Sequence, residues 1–208
     1  MTHYHADYIA GHLELQKKYK CNIYMGPKAL ETFGVKSLKD GESIRIGNIC
    51  LKLLHTPGHT EESSCLMMSD SNGKAQCLFT GDTLFLNEVG RPDLAVKSNL
   101  TAADLAKLLY NSLQKLKKEV ADDVRIYPGH GAGSSCGKNI GKGDFCVMGT
   151  QKQNNYALNE NDADKFVQKV LQDMPSPPDY FKHDAGINKF SPFDYDSIQE
   201  VVSNPISA

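Results

Sequence analysis

The chain has 208 residues, 40% of them apolar, which is enough for one large domain or two small ones with a proper core. Its 23 basic and 25 acidic side chains are interspersed to a net charge of −2, so there is no basic face for nucleic acid or anionic lipid. With no apolar run near the roughly 18 residues of a membrane span and no signal-peptide pattern, the expected partners are small molecules and the expected location is intracellular, cytoplasmic or mitochondrial.

The chain opens "MTHYHAD", after which Ile9 to Lys20 has helical spacing and "CNIYMG" reads as a short buried strand. "ESIRIGNICLKLLHT" alternates Ile44, Ile46, Ile49, Leu51 and Leu53 around Gly47-Asn48, which predicts a hairpin. "SSCLMMSDSNGKAQCLFTGD" predicts a second, with Asn72-Gly73 at the turn. Thr101 is the expected N-cap, with Asp104 three residues on, of a helix carrying Leu105, Leu108, Leu109 and Leu116 on one face. "DVRIYPGHG" reads as a strand ending in a turn, "GAGSSCGKNIGKGD" as loop, and "DADKFVQKVLQDM" as a last helix. Pro175, Pro177 and Pro178 then break the pattern. One domain is therefore expected over 1–175, and an extended arm or linker over 176–208. Cys21, Cys50, Cys65, Cys77, Cys136 and Cys146 contain no C-x-x-C pair, and most lie in apolar segments, so they read as reduced core thiols.

The groups able to carry chemistry lie at predicted strand ends: "THYHAD", "HTPGHT", "FTGDT" and "YPGHG". Strand ends of a layered sheet converge on one rim. His3, His5 and Asp7 have the period of a strand, so an extended backbone points all three to one side. His59, Asp82 and His130 each follow a glycine and are presented from a sharp bend. A single histidine at a strand end is usually an ordinary surface or core residue, but four such motifs in this order indicate a metal site. "GAGSSCGKN" is not a phosphate-binding P-loop, because no glycine stands five residues before Gly137 and Asn139 replaces the required Ser or Thr.

The H-x-H-x-D start and the later His, Asp and His resemble the metallo-β-lactamase fold family, which implies an α/β (α+β) αββα sandwich with the site at one edge. "THYHADYIAGH", "TPGHTEES", "TGDTLFLNEVGRPDL" and "YPGHGAGSSCGKN" look like its persulfide dioxygenases, especially those fused to a rhodanese domain. Family members reach the first motif only after several strands, so the resemblance implies a copy lacking the first strands. It also implies a rhodanese partner domain, and a homodimer is left open. Where two-metal members have a second histidine after the Asp of that motif, this chain has Tyr8, and a phenol with a pKa of about 10 is a poor replacement. One metal is then expected. By resemblance it falls on His3, His59 and Asp82, two imidazoles and a carboxylate that suit Fe(II). With one Fe(II), a thiol persulfide such as glutathione persulfide and O2 would give sulfite and thiol. With zinc, which has no redox chemistry, the chain would be a glyoxalase II-like thioester hydrolase. A non-catalytic remnant is the third reading. His5, Asp7 and His130 are expected to orient ligands or contact oxygen and substrate. Arg91 is expected to fix a carboxylate of the thiol carrier, its alternative being a salt bridge to Asp93, and Lys138 to attract an anionic group. Cys136 has no adjacent histidine to make it a nucleophile.

Overall fold

In the computed structural model, which describes residues 1–30 and 32–190, the histidine-rich start is not the expected strand but an irregular segment leading into helix α1 (His12–Tyr19). A short parallel pair follows, β1 (Ile23–Met25) beside β2 (Val35–Ser37). Both expected hairpins are present. β3 (Ser43–Ile46) and β4 (Ile49–His55) close at the Gly47-Asn48 turn with Ile46 opposite Ile49. β5 (Ser64–Ser69) and β6 (Ala75–Gly81) close where Asp70 Oδ1 accepts from the N–H groups of Asn72 and Lys74. A minimal hairpin of β7 (Leu84–Phe85) and β8 (Glu88–Val89) precedes α2 (Ala102–Glu119). That helix begins with the expected capping box, the Thr101 hydroxyl accepting from Asp104 N–H and the Asp104 carboxylate accepting from Thr101 N–H.

Beyond α2 come β9 (Arg125–Pro128), β10 (Cys146–Val147), the short helices α3 (Met148–Asn154) and α4 (Tyr156–Asn159), then α5 (Ala163–Leu171). The last described element, α6 (Phe181–Phe190), is helix where an extended arm was expected. Residues 191–208 of that expected arm lie outside the described residues. Six strands form one sheet in the order β10-β9-β6-β5-β4-β3, and β6 and β9 pair in parallel because α2 makes the crossover between them. Leu54, Leu78 and Ile126 pack from one sheet face against Leu109, Leu113 and Leu116 of α2 and Phe166 and Val170 of α5. Burying each such side chain contributes about 1.5–3 kcal/mol, so this layer sets the sheet's position. On the other face Leu66, Phe79 and Tyr127 lie side by side, with the Phe79 and Tyr127 rings 5.8 Å apart. No described helix is long and apolar enough to cross a membrane.

Candidate metal centre

β4 and β6 both run antiparallel to β5 between them, and β9 runs parallel to β6, so the C-terminal ends of β4, β6 and β9 share one rim. Each ends in a turn carrying one candidate ligand: His59 beyond β4, Asp82 directly after β6, His130 beyond β9. Ser64, the first residue of β5, lies on the same rim and donates its N–H to the Thr2 carbonyl at 3.0 Å, and the Met1 ammonium donates to the Tyr24 carbonyl at 2.7 Å. His3 is thereby held against the other three turns. Two glycines permit this crowding. A Cβ on Gly58 would lie 2.4 Å from Leu109 Cα, and one on Gly129 would lie 2.5 Å from Asp82 Oδ1.

The strand period predicted one shared side for His3, His5 and Asp7, but the irregular backbone sends them to two neighbouring groups. His3, His59 and Asp82 form the buried one, and His5, Asp7 and His130 the half-buried one. In each group the potential ligand atoms lie within 4.8 Å of one another. Asp82 Oδ2 is the hub, 3.8 Å from His3 Nε2, 3.4 Å from His59 Nε2 and 3.2 Å from His130 Nε2. Asp7 stands 3.6 Å from His5 Nδ1 and 3.5 Å from His130 Nε2.

These residues fit a metal on physical grounds. Buried polar atoms are nearly always hydrogen-bonded, yet six buried side-chain atoms lack a partner among the described residues, and five of them are here: His5 Nδ1, Asp7 Oδ1, both Asp82 oxygens and His130 Nε2. The His59 tautomer is set as a ligand requires, because Nδ1–H donates to the Arg91 carbonyl at 2.9 Å and leaves the Nε2 lone pair facing Asp82. Burial holds the His3 pKa well below the usual imidazole value despite the pull of Asp82, so His3 is neutral at pH 7. Burial alone would raise the Asp82 carboxyl, but His3, His130 and His59 outweigh it and hold the group well below the usual carboxylate range. His130 moves up, since Asp82 and Asp7 overcome its own burial.

Tyr8 is half exposed, its ring 4.5 Å from that of His5, and burial with Asp7, Asp82 and Cys136 nearby pushes its hydroxyl up to about 12. It is therefore a neutral phenol at physiological pH. For Arg91 the structure shows the stated alternative, the salt bridge to Asp93, and it places Lys138 on backbone carbonyls. Arg91 is 1% exposed, and its guanidinium is spent on both carboxylate oxygens of Asp93 and on the Ser135 and Pro175 carbonyls. Lys138 donates to the Lys169 and Gln172 carbonyls, closing the C-terminus of α5. Both cations bind the protein's own groups around the site. The Cys136 thiol is pushed far up by burial and then by Asp82 and Asp7, which keeps it protonated and poorly nucleophilic.

One residue at the site gave no sequence signal. Asn188 of α6 is 3% exposed, accepts from Ala10 N–H and donates to the carbonyls of His5 and Tyr8, each at 2.8 Å. It pins the segment that carries His5 and Asp7 from 178 or more residues away in sequence.

A helix-backed sheet presenting histidines and aspartates from strand-end turns is the plan of one metal-binding family. Residues 1–130 match the family model described as the metallo-beta-lactamase superfamily, and the chain belongs to that superfamily. It is 34% identical over 145 residues to the probable polyketide biosynthesis zinc-dependent hydrolase PksB of Bacillus subtilis, covering 67% of this chain and 59% of that protein. It is 38% identical over 131 residues to a probable hydroxyacylglutathione hydrolase of Schizosaccharomyces pombe, covering 62% of this chain and 46% of that one. A crystal structure of a metallo-beta-lactamase from Staphylococcus aureus superposes on all of this chain and 60% of its own, with a TM-score of 0.84 and 33% identity. ETHE1 from Myxococcus xanthus shares the fold, with a TM-score of 0.72 at 21% identity over 90% of this chain and 74% of its own. The chain thus spans about half to three fifths of the length of the two curated relatives.

Proposed function

We propose that the chain is a mononuclear non-haem iron dioxygenase that converts a thiol persulfide, dioxygen and water into the thiol, sulfite and two protons. The observation that carries this reading is the buried His3, His59 and Asp82 group beside a second group whose neighbouring position 8 is a phenol. Two imidazoles and one carboxylate are the donor set of Fe(II) oxygenases, and iron bound there supplies redox activation of dioxygen. The protein's share is positional. His3 and His59 offer neutral nitrogens, Asp82 offers the charge, and Arg91 fixes the His59 ring through its carbonyl. His130 and Asp7, 3.5 Å apart, stand where a proton can be held beside the site. The persulfide itself comes from the motif resemblance of "THYHADYIAGH" and "GHGAGSSCGKN".

A second reading has its own support. Both curated relatives named above are hydrolases by name, and His5, Asp7 and His130 form a three-residue group able to take a second ion. A dinuclear zinc site cleaving a thioester with activated water would follow. Metal analysis of anaerobically purified protein, with oxygen uptake measured on the same sample, separates the two. One iron per chain and oxygen consumption with glutathione persulfide is the expected result. Two zinc ions per chain and thioester cleavage without oxygen uptake would overturn it.

A further inference from the structure

Residues 88–91 pass the metal centre as a strap. Gly90 lies so close to two of the ligand turns that a Cβ there would overlap the Asp82 carbonyl oxygen and stand 3.1 Å from His59 Nδ1. The next residue, Arg91, offers its carbonyl to the same Nδ1–H at 2.9 Å. In a close-packed interior a shift of the strap is therefore a shift of Asp82 and His59, two of the three buried candidate ligands. A loop runs beside the strap. Arg91 N–H donates to the Cys136 carbonyl at 2.9 Å and its guanidinium to the Ser135 carbonyl at 3.3 Å. Cys136 itself stands with Asp82 and His130, their potential ligand atoms within 4.8 Å of one another.

Glu88 joins strap and loop at their far ends. It is 3% exposed, and no cation pairs with it among the described residues. Its Oε1 accepts from Val89 N–H at 3.0 Å and from the Tyr156 hydroxyl at 2.7 Å, and its Oε2 accepts from Asn139 N–H at 3.2 Å. Burying a carboxylate without a counter-charge is costly, and an apolar side chain would fill the space at less cost. What the carboxylate adds is the placement of three donors, and two of these are backbone groups, one in the strap and one in the loop. The outer side is anchored as well. Asn155, fully buried, donates to the Glu88 carbonyl at 3.1 Å and to Gln151 Oε1 at 2.9 Å, and Asn87 N–H donates to that same oxygen at 2.9 Å. The β7–β8 hairpin is thus tied to α3 and α4 behind it.

We infer that Glu88 is a positioning residue for the metal centre: its carboxylate locks the 88–91 strap to the 135–139 loop and so fixes where the His59 ring and Asp82 stand. The inference rests on the reading of His3, His59 and Asp82 as a metal site and holds for iron and zinc alike. Glu88 acts through Val89, Gly90 and Arg91 on one side and through Asn139 on the other, and touches no ligand itself. Partners that orient metal ligands from outside change metal affinity without supplying a ligand atom.

The test titrates the metal-free full chain with Co(II), whose visible absorption reports ligand geometry, and compares two variants that each remove one bond from the same carboxylate. Glu88→Gln keeps the size but turns an NH2 group toward one of the two backbone N–H donors, which loses its acceptor. Tyr156→Phe removes the phenol and leaves both backbone anchors in place. Thermal melts should fall in both. Co(II) affinity should fall roughly tenfold, with a changed absorption spectrum, in Glu88→Gln alone, and stay within about twofold of wild type in Tyr156→Phe. Should Glu88→Gln not fold, Glu88→Asp, which keeps the charge at a shorter reach, takes its place with the same two readouts. Wild-type affinity and spectrum in the Glu88 variant, or an equal loss in Tyr156→Phe, would make Glu88 a merely structural residue and overturn the inference. A wild type that takes up no Co(II) would overturn the metal reading and the inference with it. The dioxygenase reading fails separately: a Glu88-dependent Co(II) site in a chain whose iron form takes up no oxygen with glutathione persulfide sinks the dioxygenase and leaves the positioning role standing.

Discussion

Asn188→Ala removes three hydrogen bonds of 2.8 Å that tie α6 to the segment carrying His5 and Asp7. Each contributes on the order of 1 kcal/mol net, and the Ala10 N–H and the His5 and Tyr8 carbonyls would have to find water in a site where Asn188 itself is 3% exposed. A loss of about 3 kcal/mol is expected, which for a domain of this size lowers the melting midpoint by about 6–12 °C. Asn188→Asp keeps the acceptor for Ala10 but sets a carboxylate against two carbonyl oxygens, so it should do no better. Because the freed segment bears candidate ligands, metal content should fall along with stability. Urea unfolding and metal analysis on the same preparations check both. If Asn188→Ala costs less than about 0.5 kcal/mol, the ordinary range of surface substitutions, or keeps wild-type metal content, the tethering argument is wrong.

His59→Ala should lose metal while keeping the far-ultraviolet dichroism of the wild type, since His59 sits on a turn outside the leucine-rich core; wild-type metal content in this variant would remove it from the ligand set. Tyr8→His restores an imidazole beside Asp7 and should raise the metal bound per chain from one toward two; unchanged stoichiometry would show that position 8 does not decide nuclearity. Cys136→Ser should leave turnover nearly unchanged, and its complete loss would make that thiol a participant. In the metal-free chain His3 titrates well below its unfolded value of about 6.5, so its contribution to stability is present above that pH and is lost as the pH falls. His130, moved up, contributes in the opposite sense, with stability present below about 6.5 and lost as the pH rises through its native value. His3→Asn should therefore improve stability at pH 5 relative to pH 7 when both are compared with wild type by urea midpoints.

Local chemistry was legible wherever it was decided by neighbours in sequence. Gly47-Asn48 and Asn72-Gly73 marked their hairpins, and Thr101 with Asp104 marked the start of α2, because a turn or cap depends on a few adjacent residues. The grouping of strand-end motifs on one rim was legible too, since alternating strand directions leave few ways to place them. What could not be read depends on distant partners. Arg91 and Lys138 looked available because nothing nearby in sequence shows the carbonyls of Ser135, Pro175, Lys169 and Gln172 that occupy them. α6 hid for the same reason. Three prolines precede it, and its buried Asn188 looks like a surface residue until its backbone partners are seen.

Asp82 is the point on which the number of metals turns. A carboxylate 3.4 Å from His59 and 3.2 Å from His130 can serve either group, and its two oxygens, which have no hydrogen-bond partner among the described residues, leave both options geometrically open. The difference between the groups is burial and completeness. His3, His59 and Asp82 are each at most 2% exposed, which strengthens a bound cation's attraction to the one charge present and keeps competing water away. His5, Asp7 and His130 are only half buried, and the phenol beside them stays protonated. An ion there would gain Asp7 and two imidazoles but compete with solvent and share Asp82. The drier group should therefore fill first, and under limiting metal the chain should bind one equivalent tightly before any second, a two-step titration in which the weaker step strengthens in Tyr8→His. A single step of two equal equivalents in the wild type would show that burial does not rank the groups and would favour the hydrolase reading.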